Sequence, residues 1–283
     1  MPYLLICLLF SMSLPTWAIS SFSHMHEYAQ LSNIAYASGD HERALNEQGH
    51  KLVRQVVLEG VEVNYLLSKK SGVQYLTVRG TANVQNAMVD LDIKLLQNPQ
   101  LGILVHQGFA QAAMLIIDDA KPFLDKSQPV VTTGHSLGGA VAVLLAMLLQ
   151  QDEYKLQQVI TFGQPKVTNV TGAKAFASLP LTRVVTPKDI VPLVPPLSPL
   201  QIKNLDIYWH MGEEVILLPA EQYSVVQGVK SMLRATKFTS ALPNKENLEA
   251  HKMHTYLSLI QAKLNFAKEV PYESSFSLFG IGG

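Results

Sequence analysis

The sequence predicts an α/β protein with a mostly parallel central sheet and flanking helices. Three observations carry that expectation. Short β-rich runs alternate with helical stretches through the middle of the chain, joined by brief connections. One junction reads Gly134-His135-Ser136-Leu137-Gly138-Gly139, set between Pro129-Val130-Val131-Thr132-Thr133 and the apolar stretch 140–149. Of the 283 residues, 48% are hydrophobic and only 16% charged, enough apolar surface to cover a sheet on both faces.

Residues 24–38 place Tyr28, Leu31, Ile34 and Ala35 on one face of a helix. Stretches 54–58 and 61–67 flank Glu59-Gly60 and read as a hairpin. Residues 73–78 form a further strand ending at Arg79-Gly80-Thr81, and 109–124 are helical. After the helix that follows Ser136 come strands at 158–162 and 182–186. Residues 190–200 are a loop rich in proline and leucine, 208–218 a strand or hairpin, and 246–267 one long helix. No linker, charge block or repeat interrupts this pattern, so 19–270 are expected to form one domain, followed by a tail at 271–283 with no assigned function.

Lys+Arg and Asp+Glu are both 22, so there is no basic excess to recruit nucleic acid or an anionic membrane surface. Residues 3–14 are an apolar run too short to span a bilayer, broken by Pro15-Thr16-Trp17-Ala18. They predict a signal peptide over 1–18, although no Lys or Arg precedes the run. The mature chain would then be exported, secreted or periplasmic, without an integral membrane segment. The single cysteine, Cys7, lies inside that leader, which leaves the mature chain no disulfide and no thiol nucleophile. There is no metal-ligating histidine or cysteine cluster and no phosphate-binding glycine loop, so neither metal nor cofactor is expected.

Strand, sharp turn and helix around Ser136 make a nucleophile elbow. Gly134 and Gly138 leave room for the strained serine, and the helix N-terminus favours negative charge beside it. A five-residue match alone also fits an ordinary glycine-rich turn. A serine nucleophile needs a base, and the base needs a carboxylate to hold its tautomer. His210, His251 and His254 all follow Ser136. The best-placed acid is Asp189, just beyond the strand at 182–186, because sites form at carboxyl-side strand ends. Asp206, Glu213 and Glu214 read as surface or turn carboxylates.

Arg79-Gly80-Thr81, His106-Gln107-Gly108-Phe109, the elbow, Thr161-Phe162-Gly163-Gln164-Pro165 and Arg183-Val184-Val185-Thr186-Pro187-Lys188-Asp189 follow one another in a familiar order and spacing. Over residues 25–265 the sequence resembles the class 3 lipases, the fungal-lipase-like α/β-hydrolases. The resemblance implies an α/β-hydrolase fold and a serine hydrolase acting on lipid esters, like a triacylglycerol lipase, through an acyl-enzyme. It implies Ser136 as nucleophile and Asp189 as orienting acid. His251, five residues before Tyr256, has a spacing similar to bacterial and plant members, which implies the base and a bacterial-type member. His254 would then be solvent-facing or packed, and His210, His135 and His106 structural.

The oxyanion hole implied is the Leu137 N–H together with the N–H and hydroxyl of Thr81. Residues 82–90 occupy the position of the family's lid, with Asn86 and Asp90 retained and Ala87 where fungal members commonly carry tryptophan. Met88 and Val89 of this segment, with Val191 and Leu193 of the proline-rich run, are the implied substrate contacts. That run serves equally well as a stiff connector. The partner implied is a lipid or ester substrate, met in solution or at a lipid–water interface. A phospholipase A, a small-ester esterase and acyl transfer all use the same triad, and an inactive lipid-binding module is the reading from another class.

Overall fold

The computed structural model describes residues 21–58, 63–81, 94–195, 206–228 and 244–272, with Gln201 and Ser231. Nine strands make the main sheet: β1 (Lys51–Leu58), β2 (Val63–Lys70), β3 (Val73–Val78), β6 (Val130–His135), β7 (Leu156–Phe162), β9 (Leu181–Val185), β11 (Glu213–Leu217), β12 (Gln222–Val226) and β13 (Lys268–Glu269). They lie side by side in that order, so position in the sheet follows position in the chain. From β3 through β11 the pairing is parallel, while β1, β2 and β12 pair antiparallel with the strands before or after them. A second sheet joins β10 (Tyr208–Trp209), β8 (Thr168–Asn169), β5 (Ile103–His106) and β4 (Leu95–Asn98).

A parallel strand at the centre of such a sheet is covered on both faces and needs apolar or paired residues throughout. β6 is buried at all six positions. Its side chains alternate between two cores. Val130 joins Leu76 and Val159 under helices α3 (Gln107–Ala120) and α4 (Leu137–Gln151). Val131 joins Tyr75, Ile160 and Phe162 under α1 (Phe22–Ile34) and α7 (Met253–Gln261). α4 is apolar all round, and Gly138 through Leu149 are all buried, which fits a helix at the centre of the domain rather than on its surface. Shorter helices are α2 (His41–Glu47), α5 (Val170–Ala175) and α6 (Lys245–His251). Side chains of Ser21, Asp40, Asn169 and Asn244 each accept a backbone N–H three residues on, capping α1, α2, α5 and α6.

Three stretches differ from the sequence expectation. The helix expected at 246–267 is two helices, because Lys252 is extended (φ −68°, ψ 142°) between α6 and α7. Residues 208–218 divide between the two sheets at Gly212 (φ 69°), where a Cβ would stand 2.4 Å from the Leu181 carbonyl oxygen. The helix expected at 109–124 ends at Ala120 and finishes as a 3-10 turn over Lys121–Phe123, which contains Pro122. The leader, the turn at Glu59-Gly60 and residues 82–90 lie outside the described residues, as does the tail beyond Tyr272.

Candidate active site

β6 ends at His135 and α4 begins at Leu137, so Ser136 alone makes the turn. Its backbone stands at φ 57° and ψ −133°, a strained conformation for a residue with a side chain. Its N–H donates to the Phe162 carbonyl at 2.9 Å, and its carbonyl accepts from Gly139 at 3.0 Å. Backbone crowds the turn from all sides. A Cβ at Gly134 would lie 2.5 Å from Gly138 O, and one at Gly138 only 2.4 Å from Val78 O and 2.7 Å from Gly80 N. The end of β3 therefore presses directly on the elbow. A Cβ at Gly80, the residue before half-buried Thr81, would come within 3.1 Å of the Ser136 Cβ. Leu137 is the first residue of α4, where an amide has no intrahelical acceptor.

Asp189 follows β9 and is buried. Its Oδ1 accepts the Val191 N–H at 2.8 Å. Its Oδ2 accepts from His251 Nδ1 at 2.8 Å and from the Tyr256 hydroxyl at 2.5 Å. A carboxylate only accepts, so His251 carries its proton on Nδ1 and, when neutral, offers a lone pair at Nε2. His251 Nε2 and Ser136 Oγ are both buried, and neither has a hydrogen-bond partner among the described residues. Resting enzymes commonly show such long or open contacts between nucleophile and base.

Asp189 and His251 come from elements about sixty residues apart, joined at several points. Thr186 Oγ1 donates to Ala250 O at 3.1 Å, Asn247 Nδ2 donates to Lys188 O at 2.8 Å, and Lys188 pairs with Glu246. Gly163 (φ 58°) leaves the space they share: a Cβ there would lie 2.7 Å from Asp189 Oδ2 and 2.9 Å from His251 Nδ1.

The other histidines have different surroundings. His254 is exposed on α7 and pairs with Glu249 at 2.8 Å. His210 Nε2 donates to Pro192 O at 2.6 Å. His106 Nδ1 accepts the Phe109 N–H and caps α3. His135 lies under the base, with ring centroids 4.5 Å apart. Burial holds its pKa well below the ordinary histidine value, with the nearby His251 adding to the effect.

Of the expected substrate contacts, Met88 and Val89 fall outside the described residues. Val191 is 1% exposed, and its amide serves Asp189. Leu193 is half-buried, and its carbonyl accepts from Lys166 Nζ at 2.5 Å. Glu214 is no surface carboxylate: it is buried, accepts from Ser231 and faces Arg183 Nη2 at 3.4 Å. Tyr256 and Gly163 also line this arrangement; sequence reasoning used Tyr256 only as a spacing mark and Gly163 only within the 161–165 motif.

The family model described as Lipase (class 3) matches residues 75–198. That stretch holds Thr81, Ser136, Leu137 and Asp189, and ends before His251. A lipase of Rhizopus niveus is 36% identical over 146 residues, covering 47% of this chain and 37% of that protein. A secreted mono- and diacylglycerol lipase of Malassezia restricta is 32% identical over 170 residues, covering 54% of this chain and 52% of that protein. The solved triacylglyceride lipase of Rhizomucor miehei aligns at a TM-score of 0.57 and 26% identity, covering 69% of this chain and 79% of that one. The chain thus spans about half or less of the length of these two curated relatives. All three relatives are fungal, which lends no support to a bacterial-type assignment.

Proposed function

Because this chain belongs, through residues 75–198, to the class 3 lipase family and has the α/β-hydrolase fold, we propose that it is a serine hydrolase cleaving carboxylic esters of lipids. The observation that carries the proposal is the buried Asp189–His251 pair at 2.8 Å behind a serine held at φ 57°. In this reading His251 Nε2 takes the Ser136 proton as Oγ attacks the ester carbonyl. Asp189 keeps the proton of the base on Nδ1 and stabilises the imidazolium that forms. The Leu137 amide and Thr81 donate to the tetrahedral oxyanion. The C–O bond then breaks, and the alcohol leaves with the proton from His251. Water, deprotonated by the same histidine, attacks the acyl-enzyme and releases the fatty acid.

Glycerides are the proposed substrate class, supported by the acylglycerol lipases among the relatives. Met88, Val89, Val191 and Leu193 remain the proposed contacts, with Val191 reaching substrate only if the loop after Asp189 opens. Export is part of the same proposal, supported by the apolar run at 3–14 and a relative named as secreted. Residues 19–270 are read as its single domain. Among the described residues no helix is long and apolar enough to cross a membrane.

The test is hydrolysis of a medium-chain glyceride from below to above its solubility limit, with Ser136→Ala as the blank and a fluorophosphonate probe to label Ser136. A rate that climbs as droplets appear supports a lipase. A rate that saturates in solution points to an esterase on the same triad. A wild-type chain that neither hydrolyses nor labels overturns the proposal in favour of a lipid-binding module.

A further inference from the structure

We propose that Tyr36 and His135 are positioning residues that tie the backbone of His251 to the strand end carrying Thr81. The inference rests on the hydrolase reading above, since it assigns His251 as base and Thr81 as an oxyanion donor.

The argument begins at the carbonyl of His251. It is the last residue of α6, and the final carbonyls of a helix have no intrahelical donor. Lys252 is extended, so the chain does not curl back to satisfy that oxygen. The donor is His135 Nε2, at 2.6 Å. A carbonyl only accepts, so the His135 proton sits on Nε2. His135 is fully enclosed and held neutral by burial, which makes Nδ1 an acceptor. Tyr36 Oη lies 2.9 Å from Nδ1 and must therefore be the donor.

The Tyr36 oxygen also packs directly against the backbone at Gly80. The approach is so close that a Cβ on Gly80 would stand 2.2 Å from it. Tyr36 to His135 to His251 is thus one chain of hydrogen bonds with both donors pointing the same way, and Gly80 lies against its first member. Such chains polarise and stiffen one another in a low-dielectric interior. The rings reinforce it: Tyr36 meets His135 edge-on at 5.6 Å, and His135 lies against His251 at 4.5 Å. His135 also immediately precedes Ser136. The two side chains therefore link the strand end before Thr81, the residue before Ser136 and the backbone of His251, with no hydrogen bond to Ser136 Oγ or His251 Nε2.

Tyr36→Phe keeps the ring and removes only the hydroxyl. The measurements are kcat and KM on a dissolved p-nitrophenyl butyrate, the rate of fluorophosphonate labelling, and the thermal midpoint. Nitrogen-15 NMR of the full chain carrying Ser136→Ala reads the His135 tautomer, independently of turnover. The expected result is a fall in kcat and labelling rate of about tenfold with KM unchanged, comparable to one buried hydrogen bond felt in the transition state. The Nε2–H tautomer is expected in the Ser136→Ala protein, and a mixture when Tyr36→Phe is added. Wild-type kcat in a folded Tyr36→Phe protein, or an Nδ1–H tautomer at His135, overturns the inference alone. A wild-type protein without turnover or labelling removes the hydrolase reading first and this inference with it.

Discussion

The Tyr256 hydroxyl and His251 Nδ1 converge on the same oxygen, Oδ2 of Asp189, at 2.5 and 2.8 Å. Tyr256 is fully buried between the elbow and the sheet, with its ring edge-on to both His135 and Phe162. Its phenol is therefore fixed before any substrate arrives. With the Val191 amide on Oδ1, it keeps the carboxylate from rotating away from the imidazole.

Tyr256→Phe tests that role with little change in packing. A hydrogen bond to a charged group is worth roughly 1.5–3 kcal/mol, so kcat is expected to fall about tenfold to a hundredfold while KM stays constant. Unaltered kcat in a folded variant would mean that Val191 and His251 hold Asp189 unaided.

Replacing His251 with Ala is expected to lower turnover by roughly a million-fold, the scale seen when a serine hydrolase loses its base. His254→Ala removes an exposed side chain that pairs with exposed Glu249, and activity should stay near wild type. Parallel kinetics on the two variants decide between them. The opposite pattern would move the base to His254.

Gly163→Ala places a methyl 2.7 Å from Asp189 Oδ2 and demands φ 58° from a residue with a Cβ. The backbone alone costs about 1–2 kcal/mol, and the clash separates the acid from the base. Both the thermal midpoint and kcat should drop. Gly39→Ala is the matched control, since nothing lies within 4 Å of its Cβ position. A Gly163→Ala protein as active as this control would show that the acid–base contact tolerates displacement.

Glu27 lies 3.2 Å from His50 Nε2 and 2.5 Å from Lys70 Nζ. The His50 hydrogen bond, then the lysine, outweigh burial and hold its pKa down to about 2 from 4.5. A carboxylate depressed in the folded state contributes stability that is whole above 4.5 and drains away as pH falls through about 2. Glu27→Gln should therefore unfold more easily than wild type at neutral pH, and the gap should close between those two values. Urea unfolding across that range reads the gap directly. A constant gap would mean that the ion pair contributes nothing specific to the charged form.

The elbow is legible in sequence because everything that makes it is local. A strand, two glycines around a serine and an apolar helix all fall within about twenty residues. Asp189 is legible because it lies just past the carboxyl end of a strand. Other parts depend on contacts the local sequence does not contain. Glu214 has the composition of a surface position, yet it sits directly across from Arg183 in the β9–β11 register, and only the sheet brings them together. Residues 246–267 keep a helical period throughout, but the break at Lys252 lets His251 end one helix facing Asp189 while Tyr256 approaches the same carboxylate from the next. The small second sheet is hidden for a similar reason. Its β5 and β8 are short strands some sixty residues apart, and neither carries a period of its own.

The order of strands in the main sheet also bears on how the protein comes into being. Ribosomes release a chain from its N-terminus at about 5–20 residues per second. Here the strands of the main sheet lie side by side in the order in which they are made. Ser136 and its supporting helix are synthesised before Asp189, and His251 and Tyr256 follow later. At that rate His251 is made about 6–23 s after Ser136, 115 residues further along the chain. The proposed triad therefore cannot be complete until α6 and α7 have been made.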